Sequence, residues 1–291
     1  RDGNIETRMD IYLLPEEAGE IRRVRLINDS DEEALLESIS YFEVLGEDIN
    51  SDLAHPAFSN LFISTEALEE QEGLLAYRRK RDDRKEDSWI LHFVRVFEEG
   101  VERYQYETSR LNFIGRGNSV INPIALTKGL TNTTGVVLDP IMSIGKKIKV
   151  PPKGKIDIYY ITALTNTKSQ AMDILKKYKD INSLKMAVDL YRTKSQTEMG
   201  YLNLNRLKSN PYEELLSKLI YLTDNSKLKY ASVIKKNTKG KEVLWARGIS
   251  GDNPILLVTI KSMKGLGNLS KILDAHSYWT YRGLDIDLVI L

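Results

Sequence analysis

The sequence predicts a mainly β protein: a large antiparallel β-sandwich, then linker helices, then a small α/β segment. Three observations carry this reading. Over residues 1–163, apolar runs of strand length recur about every ten residues, with turn residues between them. After Thr165 the apolar spacing switches to a helical period. From Pro254 onward an apolar run, an amphipathic stretch and a second apolar run follow one another, the order of a βαβ unit. The 291 residues thus divide into a sandwich over 1–163, a helical linker over 164–227 and a small segment over 228–291.

The strand pattern opens with an imperfect alternation from Ile5 to Leu14, then Ile21–Ile27 ending at the turn Asn28-Asp29-Ser30-Asp31. Further strands are expected over 35–45, 57–66, 74–79, 89–97, 101–106, 110–115, 142–150 and 155–162, with almost no helix before residue 163. Pro151-Pro152-Lys153-Gly154-Lys155 has the composition of a hairpin loop joining the last two. Beyond it, Ala171, Ile174, Leu175 and Tyr178 share a helical face, with Asn166 or Thr167 as N-cap. A second helix is expected over 182–198. A third begins at Pro211, a residue suited to a first turn, and carries Leu215, Leu216, Leu219, Ile220 and Leu222. In the tail, Pro254–Ile260 reads as a strand. Leu269, Ile272, Leu273, His276 and Trp279 mark a helix over 266–282 that stops at Gly283, and Ile286–Leu291 is another strand.

Composition narrows the function. With 42 Lys and Arg against 41 Asp and Glu, the net charge of +1 gives no general attraction to nucleic acid or to an anionic membrane. The absence of cysteine excludes disulfides, thiolate zinc sites and cysteine nucleophiles. The three histidines, His55, His92 and His276, lack metal-ligand spacing, so no metal is expected. No apolar run reaches the ~18 residues of a membrane span, and no signal peptide opens the chain, so a cytoplasmic location is expected. The start at Arg1 without Met and the stop inside Leu288–Leu291 read as a piece of a larger polypeptide.

Catalytic motifs are scarce. Gly115-Arg116-Gly117-Asn118 lacks the third glycine and the strand-to-helix setting of a dinucleotide site. Gly248-Ile249-Ser250-Gly251-Asp252 misplaces the second glycine of a nucleophile elbow, and its apolar strand follows instead of preceding. His92 alternates with strand residues and reads as structural. Arg78-Arg79-Lys80-Arg81, flanked by acids, reads as a solvated loop.

Three segments retain functional weight: His55-Pro56-Ala57-Phe58, starting a strand after an acidic loop; Glu107-Thr108-Ser109-Arg110 leading to Asn112-Phe113-Ile114-Gly115-Arg116; and Trp245–Asp252. In the last, Trp245 offers a face on which a sugar ring stacks, and Arg247 and Asp252 offer forked hydrogen bonds to hydroxyls. Equally, the two glycines form a tight turn that Trp245 anchors and Asp252 caps. His55, Arg116, Trp245, Arg247 and Asp252 are the candidate carbohydrate-binding residues; none is assigned a catalytic role.

At these residues the chain resembles the bacterial cyclic β-1,2-glucan synthases. The run from Asp52 to Glu66 is followed in order by Leu75–Arg79, Glu107–Arg110, Phe113–Gly117, Val137–Ile141, Gly248–Ile255, Ala275–Trp279 and Asp287–Leu291. Related glycoside phosphorylases include β-1,2-oligoglucan and cellobiose phosphorylases. The resemblance implies a β-sandwich joined by linker helices to an (α/α) toroid, and β-glucan chemistry. In the phosphorylases inorganic phosphate attacks the anomeric carbon while one Asp protonates the leaving oxygen, with inversion. That acid lies on a toroid loop for which this chain has no matching segment. The resemblance is to the first of two sandwich-plus-helix repeats. Gly248–Asp252 corresponds loosely to an early toroid motif, without its Phe-Arg and its glutamines. It implies an accessory segment with a β-glucan oligosaccharide and the rest of its own polypeptide as partners. It implies no cofactor, with inorganic phosphate as a co-substrate of the complete enzyme. The alternatives are part of a substrate or phosphate pocket, or a free-standing carbohydrate-binding module.

Overall fold

A computed structural model describes every residue except 47–48, 80–86, 99–103, 203, 205, 222–223, 261 and 263–264. The chain forms two units, Arg1–Thr193 and Lys194–Leu291.

Among the described residues the first unit has eleven strands: β1 Ile5–Leu13, β2 Gly19–Asn28, β3 Ala34–Ile39, β4 Phe42–Glu43, β5 Ile63–Leu68, β6 Gly73–Arg78, β7 Ser88–Arg95, β8 Gln105–Ser109, β9 Gly135–Val136, β10 Pro140–Val150 and β11 Lys155–Thr165. Helices α1 Ile49–Ala54, α2 Pro56–Asn60, α3 Arg110–Ile114 and α4 Ala125–Lys128 are short; α5 Lys168–Lys177 and α6 Ile181–Tyr201, of which the residues up to Thr193 belong to this unit, are longer. A seven-stranded sheet in the order β1-β2-β11-β7-β6-β5-β9 faces a four-stranded sheet in which β10 pairs with β3, β4 and β8; every pairing is antiparallel.

Strand alternation explains the layering. One side of the larger sheet, with Leu26, Leu74, Val94, Ile156, Ile158 and Tyr160, packs on Met142, Ile144, Ile148 and Val150 of β10. Its other side, with Tyr12, Ile21, Leu75, Leu91, Phe93, Tyr159 and Ile161, packs on Ala171, Ile174, Leu175 and Tyr178 of α5 and Leu184, Ala187 and Val188 of α6. A central strand covered on both faces needs apolar residues at successive positions, and β11 has them. The Thr167 side chain caps α5 by accepting from the Gln170 amide at 3.2 Å.

Several expectations are corrected. Residues 57–66 do not form one strand: Pro56 opens the helix α2, and β5 starts only at Ile63. The segment 110–115 is the helix α3. Ser109 caps it and Gly115, at φ 82°, ends it, while Phe113 and Ile114 turn into a small cluster with Ala125, Leu130 and Ile141. The strand expected at 101–106 is β8, and residues 101–103 lie outside the described residues. Pro151–Gly154 is no hairpin loop, because β10 and β11 belong to different sheets. The loop crosses between them and is held by Asn28, whose side-chain amide donates to the carbonyls of Val150 and Pro151 and whose backbone amide donates to Gly154. The region therefore carries four short helices, yet it remains the antiparallel sandwich that the strand spacing predicts.

The second unit contains α7 Arg206–Ile220, α8 Asp224–Lys229, α9 Ala231–Ile234, α10 Glu242–Trp245, β12 Ile255–Val258, α11 Leu266–Tyr281 and β13 Asp287–Ile290. The strands β12 and β13 pair in parallel with α11 between them in sequence, the βαβ arrangement expected. The helix α7 starts five residues before Pro211, which lies inside it. An interior proline forgoes one backbone hydrogen bond. Here Tyr212, Leu215, Leu216 and Leu219 pack against the buried cluster of Ala275, Tyr278, Trp279 and Ile286 and hold the turn in place. Leu222 lies outside the described residues.

Candidate functional site

The Trp245–Asp252 segment is a surface turn. The indole of Trp245 is 60% exposed, so it is no core anchor, and its Nε1 donates to the carbonyl of Ser250 at 3.1 Å. Gly248 and Gly251 take left-handed φ values of 72° and 75°, which only glycine adopts without strain. The Asp252 side chain does not cap the turn: it pairs with Lys241 at 2.6 Å, and the Ser250 hydroxyl accepts from the Asp252 amide at 3.1 Å. The Lys241 ammonium lowers the Asp252 pKa below its usual value. Arg247 is exposed. The turn thus presents an aromatic face, a guanidinium and an ionised carboxylate on one short loop.

His55 and Arg116 lie in the other unit, and both are exposed. His55 precedes α2 without capping it through its side chain. Arg116 stands between Gly115 and Gly117, both at positive φ. Among the described residues, no hydrogen bond or ion pair joins His55 to Arg116.

Several motif segments of the first unit meet at one end of the sandwich. Arg78 is buried, not solvated: its guanidinium donates to the carbonyls of Leu45 and Ser59 and to the Ser59 hydroxyl, fixing α2. Lys80 and Arg81 lie outside the described residues. Asn60, at the end of α2, donates to Asp139 at 3.4 Å, and Arg110 reaches both Asp139 at 3.4 Å and Glu43 at 3.0 Å. Glu107 is a buried carboxylate that accepts from the amides of Thr108, Ser109 and Thr131 and from the Thr131 hydroxyl. It thereby ties β8 to the loop before β9. Phe58, Leu61, Leu111, Val136 and Leu138 stand exposed around this end. Asn60, Arg78, Glu107, Arg110 and Asp139 are committed to holding the chain, a role that spacing alone does not reveal.

A second constellation escaped the sequence reading. His92 is 2% exposed between the sheets. Its Nε2 lies 2.8 Å from the Ser40 hydroxyl and its Nδ1 2.9 Å from the Thr162 hydroxyl, while its ring stacks on Tyr160 and meets Phe42 edge-on. Beside it opens a cleft of about 330 Å³ lined also by Met9, Arg22, Val24, Ser38 and Tyr41. Burial, with Arg22 nearby, pushes the His92 pKa down to about 3. The imidazole is therefore neutral near pH 7 and offers neither an acid nor a charged ligand there. The alternation of His92 with buried strand residues marks it as inward-facing; its partners come from β11 and from the Ser40 bend, which sequence spacing does not connect.

Five carboxylates have the wrong electrostatics for proton donation. Glu6, Asp10, Glu16, Glu214 and Asp252 are all pushed down, each chiefly by a hydrogen bond from Arg8, Arg23, Lys177, Lys218 and Lys241 respectively. A general acid needs the opposite shift. Among the described residues no group of His, Asp and Glu is arranged to hold a metal, and no described helix is long and apolar enough to cross a membrane.

Comparison with known proteins matches this architecture. The chain is 29% identical over 293 aligned positions to the cyclic beta-(1,2)-glucan synthase NdvB of Rhizobium meliloti (strain 1021), covering 99% of this chain and 10% of the synthase. It thus spans about a tenth of that relative's length. A family GH92 alpha-mannosidase structure from Bacteroides thetaiotaomicron overlaps 60% of this chain and 21% of its own, at 7% identity and a TM-score of 0.25, too low to carry an argument. The model of the glycosyl hydrolase 94 supersandwich domain matches residues 1–181, which hold both sheets and the helix α5. By that match, the chain belongs to the glycosyl hydrolase 94 supersandwich family.

Proposed function

We propose that this chain is the accessory sandwich-plus-helix portion of a β-1,2-glucan-active polypeptide and performs no glycosyl transfer or phosphorolysis alone. The observation that carries this reading is the similarity to a cyclic glucan synthase along 99% of the chain. Asp10 and Asp252, both depressed, are unsuited to be the protonated acid that an inverting attack by phosphate or by a sugar hydroxyl needs at the leaving oxygen. The chemistry belongs to the remainder of the polypeptide. Inorganic phosphate, where it is used, enters there as co-substrate, and the setting is cytoplasmic. The partners are that remainder and a β-glucan oligosaccharide, with no nucleic acid and no membrane insertion by this segment. Incubated with β-1,2-gluco-oligosaccharides and phosphate, the purified chain is expected to release no glucosyl phosphate and to form no transfer product. Turnover abolished by one carboxylate substitution within the chain overturns the proposal.

A second reading, direct sugar contact at the Trp245 turn, is favoured by the exposure of that indole beside Arg247 and Asp252. Asp252→Asn removes only a surface pair with Lys241, so the melting temperature should stay nearly unchanged. If the turn binds glucan, titration with a β-1,2-gluco-oligosaccharide should show weaker affinity for Asp252→Asn and for Trp245→Ala. Unchanged affinity in both removes this reading.

A further inference from the structure

The strand β1 ends the seven-stranded sheet, and no described strand pairs with its outer edge. It is nine residues long and contains no proline, and its charged residues Glu6, Arg8 and Asp10 are of mixed sign, so they do not give the edge a single repelling charge. The Asp29 amide donates to the Asn4 carbonyl, and the Leu14 amide to the Gly19 carbonyl. Even-numbered residues of β1 therefore direct their backbone toward β2, and odd-numbered residues direct theirs outward. Ile5 spends its outward groups on Asp2. Thr7, Met9, Ile11 and Leu13 thus present a ladder of donors and acceptors. Their side chains lie on the face that looks toward the smaller sheet, where Met9 lines the cleft beside His92, and remain largely open: Met9 is 58%, Ile11 48% and Leu13 58% exposed.

The sequence of this edge is complementary to itself. Set antiparallel to a second copy about a two-fold axis at Met9, the strand pairs Met9 with Met9, Thr7 with Ile11, and Arg8 with Asp10 on both sides of the axis. The Arg8–Asp10 pairs fall at the positions without mutual backbone bonds, where side chains come closest. Shifting the axis by one residue breaks this. An axis at Arg8 sets two arginines opposite each other, and an axis at Asp10 sets two aspartates opposite each other; like charges so placed are destabilising. Because Ile5 is already engaged by Asp2, the Met9 axis uses the stretch from Thr7 to Ile11, an axis at Thr7 keeps only the Thr7 pair, and an axis at Ile11 sets Asp10 opposite Tyr12 without a charge pair.

We propose that the chain self-associates as a two-fold dimer through β1, joining two seven-stranded sheets edge to edge in the Met9-centred register. One strand pair is a small interface, so the dimer forms in a concentration-dependent way.

Because the chain has no cysteine, single-cysteine variants read the register directly. Directly opposed residues of a hydrogen-bonded pair lie about 5.5 Å apart at Cα, inside the roughly 4.4–6.8 Å window of a disulfide. Under mild oxidation, Met9→Cys should cross-link to itself. Thr7→Cys alone should not, while a mixture of Thr7→Cys with Ile11→Cys should. In sedimentation velocity the unaltered chain should shift toward dimer with rising concentration. Arg8→Asp, which places carboxylates opposite Asp10, should remain monomeric with its melting temperature retained. A chain that stays monomeric at every concentration and shows no cross-link preference for Met9→Cys overturns the proposal. So does a dimer indifferent to Arg8→Asp, which must use another face, and so does self-linking of Thr7→Cys as fast as that of Met9→Cys, which places the axis elsewhere.

Discussion

Acidification from pH 6.5 to 3 is expected to remove a large share of the first unit's stability through His92 alone. Its pKa falls from the ordinary value of 6.5 in the unfolded chain to about 3 in the folded state. The folded state therefore holds the ring neutral where the unfolded state binds a proton. The sign follows: the contribution is fully present above pH 6.5, shrinks as pH falls, and is gone by about pH 3. Each pH unit in that window costs about 1.4 kcal/mol, and the whole window about 4–5 kcal/mol. That approaches the total stability of an ordinary domain, about 5–15 kcal/mol. Replacing the ring removes the titration but also the hydrogen bonds to Ser40 and Thr162 and the stacking on Tyr160. His92→Gln should thus be less stable than the unaltered chain at pH 7, with the difference narrowing steadily toward pH 4. Urea unfolding at several pH values measures it. Parallel stability curves for the two proteins would exclude His92 as the source.

The second large effect lies at Trp279. Its side chain is fully buried, its Nε1 donates to the Tyr212 carbonyl at 3.2 Å, and it sits among Ala275, Tyr278 and Ile286 with Leu215, Leu216, Leu256 and Leu284 around them. This cluster is the principal core of a small unit, so a hole there has few neighbours to absorb it. Trp279→Ala should cost about 3–5 kcal/mol, the usual scale for deleting a buried aromatic. Trp279→Phe should recover much of that while losing the hydrogen bond to Tyr212. Trp245→Ala is the internal control, since Trp245 is exposed and only its N–H is engaged. Chemical unfolding followed by far-ultraviolet circular dichroism, which does not depend on the deleted indole, separates the three. A loss at Trp279 no greater than that at Trp245 would contradict the packing described.

Much of this architecture was legible beforehand because it rests on periodicity, which is local. Most strand-length runs up to Thr165, the helical spacing of Ala171, Ile174, Leu175 and Tyr178, the cap at Asn166 or Thr167 and the strand–helix–strand tail follow from residues a few positions apart, and the structure contains these, with Thr167 as the cap. The family resemblance was legible for a different reason: long motifs in a fixed order carry more information than any single spacing. Short elements were the weak point. Pro56–Asn60 and Arg110–Ile114 are each about one turn long, too brief for a helical period to show against neighbouring strands, although Ser109 and Gly115 bracket the latter as a cap and a stop.

What the sequence by itself determined is the kind of each long element, the change of pattern after the sandwich, and the absence of cysteine chemistry. What the tertiary structure alone decided is partnership. The strands β10 and β11 are equally apolar and adjacent in the chain, yet they belong to opposite sheets, because each completes a face that the other cannot cover. The charged residues Arg78, Glu107 and Lys146 are buried because distant segments supply their partners: Ser59 and Leu45 for the first, Thr131 for the second and Glu72 for the third. A buried charge is tolerable only where such partners converge, and convergence across tens of residues is a property of the folded chain, to which spacing along the sequence is blind.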